Sequence, residues 1–503
     1  MDLDLFLHDL HFHSERVIPP DWEVDWEDAP LSYKIYRDLP EIPLADDIPL
    51  TLSEQNFGHM PERKQLSYFL WYVYGLTQYS ETVTSSDGKP GETYTSFRRF
   101  APSGGGLYPN ELYLYLQTDE LPNGIYHYDN AHHRLLLLRE GTFNDYIEKA
   151  LGTRVEHSSS FATIILTARF WKNFFKYHNF AYRLQGLDAG ALIGQLYEIS
   201  KPFRYEPTVH FHFLDDALNH LLGLNSDEES TYAVLPLRGG RAPTLPSDLS
   251  ASSLSQTIPA IKAVACERSK NVLDFSDLVE INEAAMLQST DDFRSLNRKP
   301  SIEAEKKWLL PQTKKLDYDL AKACRNRYSP DMDFVLKKVD SATVSSLLKE
   351  ASQDSAPRLS IYGCFYQVEG LPDGAYKYDA PSHAFVKVKE GDFRLPLQQG
   401  MTLDNVNLHE VPLCLHIAGD RDHYKDDLGY RGYRIQHMEA GMLLQRLLLT
   451  ASALGMNGHP LLGFDVQTCD QIYGLESRGE TTLIQIPIGY YRPKSWLKGG
   501  LLG

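Results

Sequence analysis

Short apolar strands and long helical stretches alternate along this chain, and the alternation occurs twice. Glu111–Gln117 (ELYLYLQ) has strand character. Pro122-Asn123-Gly124 predicts a turn before a strand at Ile125–Tyr128, and His133–Arg139 (HRLLLLR) predicts another. The apolar, β-branched run Phe161–Ala168 (FATIILTA) predicts a buried strand, matched by Pro412–Gly419. A long helix then follows in each half, at Asp188–Ser200 and at Glu439–Leu454. Small residues early in both allow close backbone approach, and Asp188 and Glu439 suit a first helical turn. Last strands are expected at Tyr232–Leu237 and Thr482–Ile488, with further helices at Asn271–Leu287 and Ser341–Ala351. The class is α+β in both halves.

The two halves are related in sequence as well as in pattern. Residues 121–129 read LPNGIYHYD and residues 371–379, 250 positions later, read LPDGAYKYD. Glu140–Phe143 matches Glu390–Phe393 at the same offset. At an offset of 251, Tyr182-Arg183 matches Tyr433-Arg434, Asp188-Ala189-Gly190 matches Glu439-Ala440-Gly441, and Gly223-Leu224 matches Gly474-Leu475. Such a period is far above the roughly 20–50 residues of solenoids, so it points to duplication of a whole domain. The boundaries expected are a lead-in over 1–60, a first domain over 61–240, a linker over 241–300 that opens rich in Gly, Pro and Ser, and a second domain over 301–503. A fold that is normally a homodimer would here be one chain, an intrachain pseudo-dimer.

Composition narrows the function. The chain has 503 residues, which at about 150 per domain implies roughly two to four domains. The net charge of −17 argues against gripping a phosphate backbone, so no nucleic acid is expected as partner. No run of about 18 apolar residues occurs, so no membrane span is expected. The acidic, His-rich start has no basic and then apolar region, and does not read as a signal peptide. Five dispersed cysteines without a CxxC support neither disulfides nor a cysteine zinc site. They fit a cytoplasmic protein whose thiols are small core residues. His8, His11 and His13, with Asp9 and Glu15, match no metal-ligand spacing, and no metal is expected. His210 and His212 alternate as on one face of a sheet.

Three groups carry candidate chemistry. Ser96–Pro109 reads SFRRFAPSGGGLYP: Arg98 and Arg99 precede the loop Pro102-Ser103-Gly104-Gly105-Gly106. Glycines let backbone N–H groups approach a ligand, and arginine supplies a charged fork. The run is neither a Walker loop nor a dinucleotide fingerprint, and a purely structural turn is the alternative. Lys176-Tyr177 lies among aromatics before the long helix; an ammonium beside a phenol can make the phenol a usable base. A snorkelling lysine and a packed tyrosine would look the same. At the matching place the second half has Asp427-Leu428. Finally, Arg325, Arg327 and Ser329 could hold a phosphate, with Arg492 and Lys494 after the last strand; solvated surface is the alternative for these.

The residues Arg98–Pro109 resemble the arginine-containing run of the nitroreductase-fold flavoproteins, and most closely that of the SagB/McbC-type azoline dehydrogenases, which ends in Pro-Ser-Ala-Gly-Ala-Leu-Tyr-Pro. LSYFLWYVYGLT and LPNGIYHYD fit as well, and Lys176-Tyr177 falls where that family has its catalytic lysine–tyrosine pair. In the second half Arg325, Arg327 and Ser329 resemble the phosphate-binding start of nitroreductases, and Leu462-Gly463 the turn whose backbone meets flavin N5. The resemblance covers most of 10–240 and, more loosely, 315–495. It implies a tandem duplication of the FMN-dependent nitroreductase fold.

It also implies one composite FMN site per chain. Arg98, Arg99, Pro102, Ser103, Gly104 and Gly105 would come from the first half, and Arg325, Arg327, Ser329, Leu462, Gly463, Arg492 and Lys494 from the second. The opposite site would be degraded. The implied reaction is oxidation of a thiazoline or oxazoline in a ribosomal or carrier-bound peptide, with proton loss to Lys176/Tyr177 and hydride transfer to FMN, within a peptide-modifying complex. Two rivals stand beside it: an NAD(P)H-dependent nitroreductase acting on a small molecule, and a flavin-free scaffold in such a complex.

Overall fold

The computed structural model describes residues 1–53, 57, 62–84, 92–153, 155–156, 160–238, 240–241, 248–294, 307–353, 358–494 and 497–501. One antiparallel sheet has the spatial order Glu41–Pro43, Arg134–Glu140, Leu121–Asp129, Asn110–Thr118, Ala162–Arg169, Glu229–Pro236. A second has the order Lys307–Leu309, Ala384–Glu390, Gly374–Asp379, Ser360–Phe365, Leu413–Asp420, Glu480–Tyr491, and Phe334–Val335 extends it. Strand for strand the two orders agree. The central strands Ala162–Arg169 and Leu413–Asp420 are buried along their whole length, which is why they read as continuous apolar runs rather than as alternation.

The long helices are Ala181–Phe203 and Arg431–Ala453, and each packs along the other. Glycines set their approach. A Cβ on Gly190 would lie 1.9 Å from the carbonyl oxygen of Met438, and one on Gly441 would lie 2.2 Å from that of Leu187. Tyr182 and Tyr433 stack at 5.9 Å with an 18° tilt. Positions equivalent in the two halves thus meet each other, as residues do about a two-fold axis. Both helices begin earlier than the acidic residues suggest. Asp188 is the eighth residue of its helix, so it faces the protein interior instead of capping a dipole.

A buried polar motif occurs in both sheets. Ser67 Oγ meets His133 Nε2 at 2.9 Å and Tyr128 Oη meets its Nδ1 at 2.8 Å; Ser345, His383 and Tyr378 repeat the arrangement at 2.8 and 2.8 Å. Burial pushes the His133 imidazole down to about 4, and His383 is lowered for the same reason. Both rings are neutral struts that tie a helix to a sheet.

Several expectations shift. Pro122-Asn123-Gly124 is not a turn but lies inside Leu121–Asp129. The reversal is at Asp119-Glu120, because Thr118 already pairs with Leu121. Gly124 is there for close approach: a Cβ would sit 2.4 Å from the Arg139 carbonyl oxygen. His210 makes only an isolated bridge to Val234, so it and His212 do not form a strand face. Within 241–300 the described residues pack onto both halves: Asn282 Oδ1 and the Ala285 carbonyl accept from Arg434 and Arg431 of the second, and further contacts reach the first. The Cys266 N–H donates to the Ile35 carbonyl (2.7 Å), Trp171 Nε1 donates to Ser269 Oγ (2.9 Å), and Ser276–Ala284 is a helix. The Pro-containing stretch at 242–247 lies outside the described residues. The last strand, Leu497–Gly500, pairs with Gln78–Thr84, so the end of the chain joins a hairpin of the first half. Among the described residues no helix is long and apolar enough to cross a membrane. Cys324, Cys364, Cys414 and Cys469 are buried free thiols, and Cys266 is half-buried.

Candidate functional site

The glycine loop is built from the long helix upward. Asp188 accepts from Ser103 Oγ–H at 2.5 Å and from the Gly104 N–H at 3.1 Å, and Ser103 Oγ in turn accepts from the Tyr108 N–H at 2.8 Å. Burial raises the Asp188 carboxyl to about 7, against the lowering effect of these two donors. The loop therefore turns on a buried acid. Gly105 and Gly106 take φ of +63° and +70°, the left-handed region that favours glycine.

Lys176 and Tyr177 close on this loop. They end the helix Trp171–Tyr177. A Cβ on Gly105 would lie 2.5 Å from Tyr177 Oη and 2.9 Å from Lys176 Nζ, so the pair rests directly on the glycine. Lys176 Nζ stands 4.9 Å from the Tyr177 ring centroid and 5.3 Å from that of Trp26. Desolvation holds the Lys176 ammonium below its ordinary value. A lysine of lowered pKa beside a phenol, at the rim of a backbone cradle, can hold and release a proton.

The second half adds cations to the same loop. Buried Arg327 donates from Nε to the Phe100 carbonyl at 2.8 Å, just before Pro102. Burial, with a smaller contribution from Arg98, lowers its guanidinium to about 10. Lys498 is lowered first by desolvation, then by Arg98 and Arg327. His459 is lowered by burial, then, among the cations, by Lys494 and Arg98. Arg98, Arg327 and Lys498 are thus near enough to disfavour one another's charged forms, and such a group of cations can attract an anion. Lys494 bonds Asp331, the Arg492 N–H donates to the Asp333 carbonyl (2.8 Å), and Ser329 lies half-buried in the same stretch. Leu462 packs against the cores of both halves, and the Gly463 carbonyl accepts from the Thr402 N–H at 2.9 Å.

Two of the sequence candidates point elsewhere. Arg99 is buried in the first half, where its guanidinium donates to the Ser32 carbonyl (2.9 Å) and Asn130 Oδ1 (3.2 Å) and lies 4.4 and 4.1 Å from the rings of Tyr74 and Tyr108. Arg325 donates to the Leu50 carbonyl at 2.6 Å, facing the lead-in. The sequence reading missed Asp188 and Lys498 as site residues. The acidic match between Asp188 and Glu439 was the available signal. In the second half Glu439 pairs with Arg358, where the first half has Asp188 and its loop. The ligating atoms of His8, Asp9 and His13 lie within 4.8 Å of one another, although Arg16 already engages Asp9 at 3.3 Å.

Comparison with known proteins agrees with this architecture. Residues 324–490 match the model of the nitroreductase family. A crystal structure from Anabaena variabilis ATCC 29413, named provisionally as a nitroreductase, superposes with a TM-score of 0.74 at 22% identity, covering 97% of this chain and 99% of that one. The whole chain therefore has a nitroreductase-like fold. A Methanocaldococcus jannaschii protein, also named provisionally as a nitroreductase, is 28% identical over 131 residues, 26% of this chain and 64% of its own length. A further such structure, from Ralstonia eutropha JMP134, has a TM-score of 0.32 at 17% identity, covering 40% of this chain and 97% of its own.

Proposed function

We propose that this chain is a tandem duplication of the nitroreductase fold with one composite FMN site, and that it oxidises azolines in a peptide. The observation that carries the reading is the contact of Lys176 and Tyr177 with Gly105, beside a loop that also meets Arg327 of the second half. The residues suit FMN: Gly104 and Gly105 leave room for Leu184 and the Lys176–Tyr177 pair, Gly106 faces open space, and Arg98, Arg327 and Lys498 suit a phosphate. Bound there, FMN supplies the two-electron chemistry. Lys176 and Tyr177 orient the substrate and take its proton; Asp188 keeps the loop in place. The azoline substrate and a peptide-modifying partner rest on the resemblance of Arg98–Pro109 and of Lys176-Tyr177 to the azoline dehydrogenases.

The pseudo-symmetric position lacks the same equipment. Asp427-Leu428 replaces the pair, and Arg358 with Glu439 replaces the loop and its acid. The test uses Lys176→Ala and Tyr177→Phe in the reconstituted protein. Both are expected to keep flavin and to lose oxidation of an azoline peptide by on the order of 100- to 10,000-fold. Near wild-type rates would refute the assignment. Rapid flavin reduction by NADPH without azoline turnover would favour a small-molecule reductase instead.

A further inference from the structure

The residue after the pair has a backbone that its side chain does not favour. His178 has φ +48° and ψ −141°. The equivalent residue of the second half, after the helix Lys425–Leu428, is Gly429, with φ +58° and ψ −152°. The two backbones agree, 251 positions apart. Glycine adopts this conformation freely and an L-residue does not. The half that lacks the lysine–tyrosine pair has the unstrained residue, and the half that carries the pair has the strained one.

What holds His178 in place is a segment of the lead-in. Its Nδ1 meets the Val17 carbonyl at 3.2 Å, as a donor to that acceptor. Trp22 lies edge-on to the imidazole at 5.1 Å and 75°, and Phe174 lies on its other contact at 4.7 Å. The same segment reaches the pair itself. Trp22 Nε1 donates to the Lys176 carbonyl at 3.1 Å. Trp26 stands edge-on to Phe175 at 5.6 Å, with Lys176 Nζ 5.3 Å from its ring. Residues 17–26 therefore grip the last turn of the catalytic helix from Phe174 to His178. A glycine at 178 would remove the imidazole's share of that grip, its contacts to Val17 and Trp22, and relieve the backbone at once.

We propose that His178 is a positioning residue that clamps residues 17–26 over Lys176 and Tyr177 and so holds the pair against Gly105. The role rests on the reading of that pair as the proton-handling site. Backbone strain of this kind persists where surrounding contacts over-determine it, and here the contacts are those of the clamp. Trp26, 48% exposed, lies beside the Lys176 ammonium at the outer side of the pair.

The test is His178→Gly in the full, FMN-reconstituted chain, read by thermal melting, flavin content, hydrogen exchange and azoline kinetics. Expected are an unchanged or higher Tm, unchanged flavin content, and at least tenfold faster exchange over residues 17–28. The kcat should fall at least tenfold with little change in KM. Unchanged exchange, or faster exchange with full kcat, overturns the clamp. If the wild type itself does not oxidise azolines, the proposed reaction fails, and the exchange result alone decides for or against the clamp. If the glycine variant does not fold, Trp22→Phe decides: it removes the donor to the Lys176 carbonyl and leaves residue 178 intact. A severalfold loss of kcat with faster exchange over 17–28 supports the clamp, and wild-type values overturn it.

Discussion

Gly105→Ala and Gly106→Ala form a pair that separates backbone strain from contact with Lys176 and Tyr177. Both glycines have left-handed φ, +63° and +70°. An alanine there costs about 1–2 kcal/mol at either position. The surroundings differ. A Cβ at Gly106 meets nothing within 4 Å, whereas one at Gly105 lies 2.5 Å from Tyr177 Oη and 2.9 Å from Lys176 Nζ. A carbon–oxygen contact needs about 3.3–3.6 Å, so Tyr177 must retreat by roughly 1 Å. A displacement of that size at reacting groups costs on the order of 100-fold in rate. The two variants should therefore lose similar stability in denaturant titrations. Only Gly105→Ala should lose about 100-fold in azoline turnover, measured as substrate-driven bleaching of the flavin under anaerobic conditions. Equal turnover in the two variants would refute the placement of the pair on the loop.

Further outcomes follow from the same geometry. Arg327→Ala should weaken FMN retention by about 1.5–3 kcal/mol in equilibrium dialysis, as loss of a charge-assisted phosphate contact does. Arg325→Ala should leave retention unchanged, because that guanidinium faces Leu50; the reverse ranking would move the anion site. Asp188 carries a pH dependence. Its carboxyl is raised to about 7, so between about pH 4 and 7 the folded chain holds a proton that the unfolded chain has released. Its contribution to stability is present at low pH and falls as pH rises through this window, by up to about 1.4 kcal/mol per unit. Asp188→Asn should flatten that slope in urea titrations from pH 4 to 8, and an unchanged slope would show that the carboxyl is not buried as described.

Individual strands were largely legible because buried ones such as Ala162–Arg169 are apolar throughout and the duplicated LP[N/D]G segment recurs at the equivalent strand of both sheets. Helix starts were not. Asp188 reads locally as a first-turn acid, but burial against Ser103 makes it an interior acceptor, and only tertiary contact distinguishes the two. The Pro-Asn-Gly turn failed for a related reason: Gly124 serves close strand approach, which sequence cannot separate from a reversal. In the candidate site the glycine loop and the pair were visible as residue types, and their contact was not. Arg98 and Arg99 look equivalent in the sequence, yet Arg98 joins Arg327 and Lys498 while Arg99 is stacked between Tyr74 and Tyr108. Lys498 was out of reach, because its strand pairs with a hairpin more than four hundred residues away.

Flavin counted per chain tests the central claim most directly. The protein is reconstituted with excess FMN, freed of unbound cofactor, and denatured, and the released flavin is measured against chain concentration. The Pro-Ser-Gly loop, the acid beneath it and the lysine–tyrosine pair occur together once, and Arg358 with Glu439 stands at the equivalent place. The account predicts one FMN per chain. Two equivalents of similar affinity, or none, would contradict it.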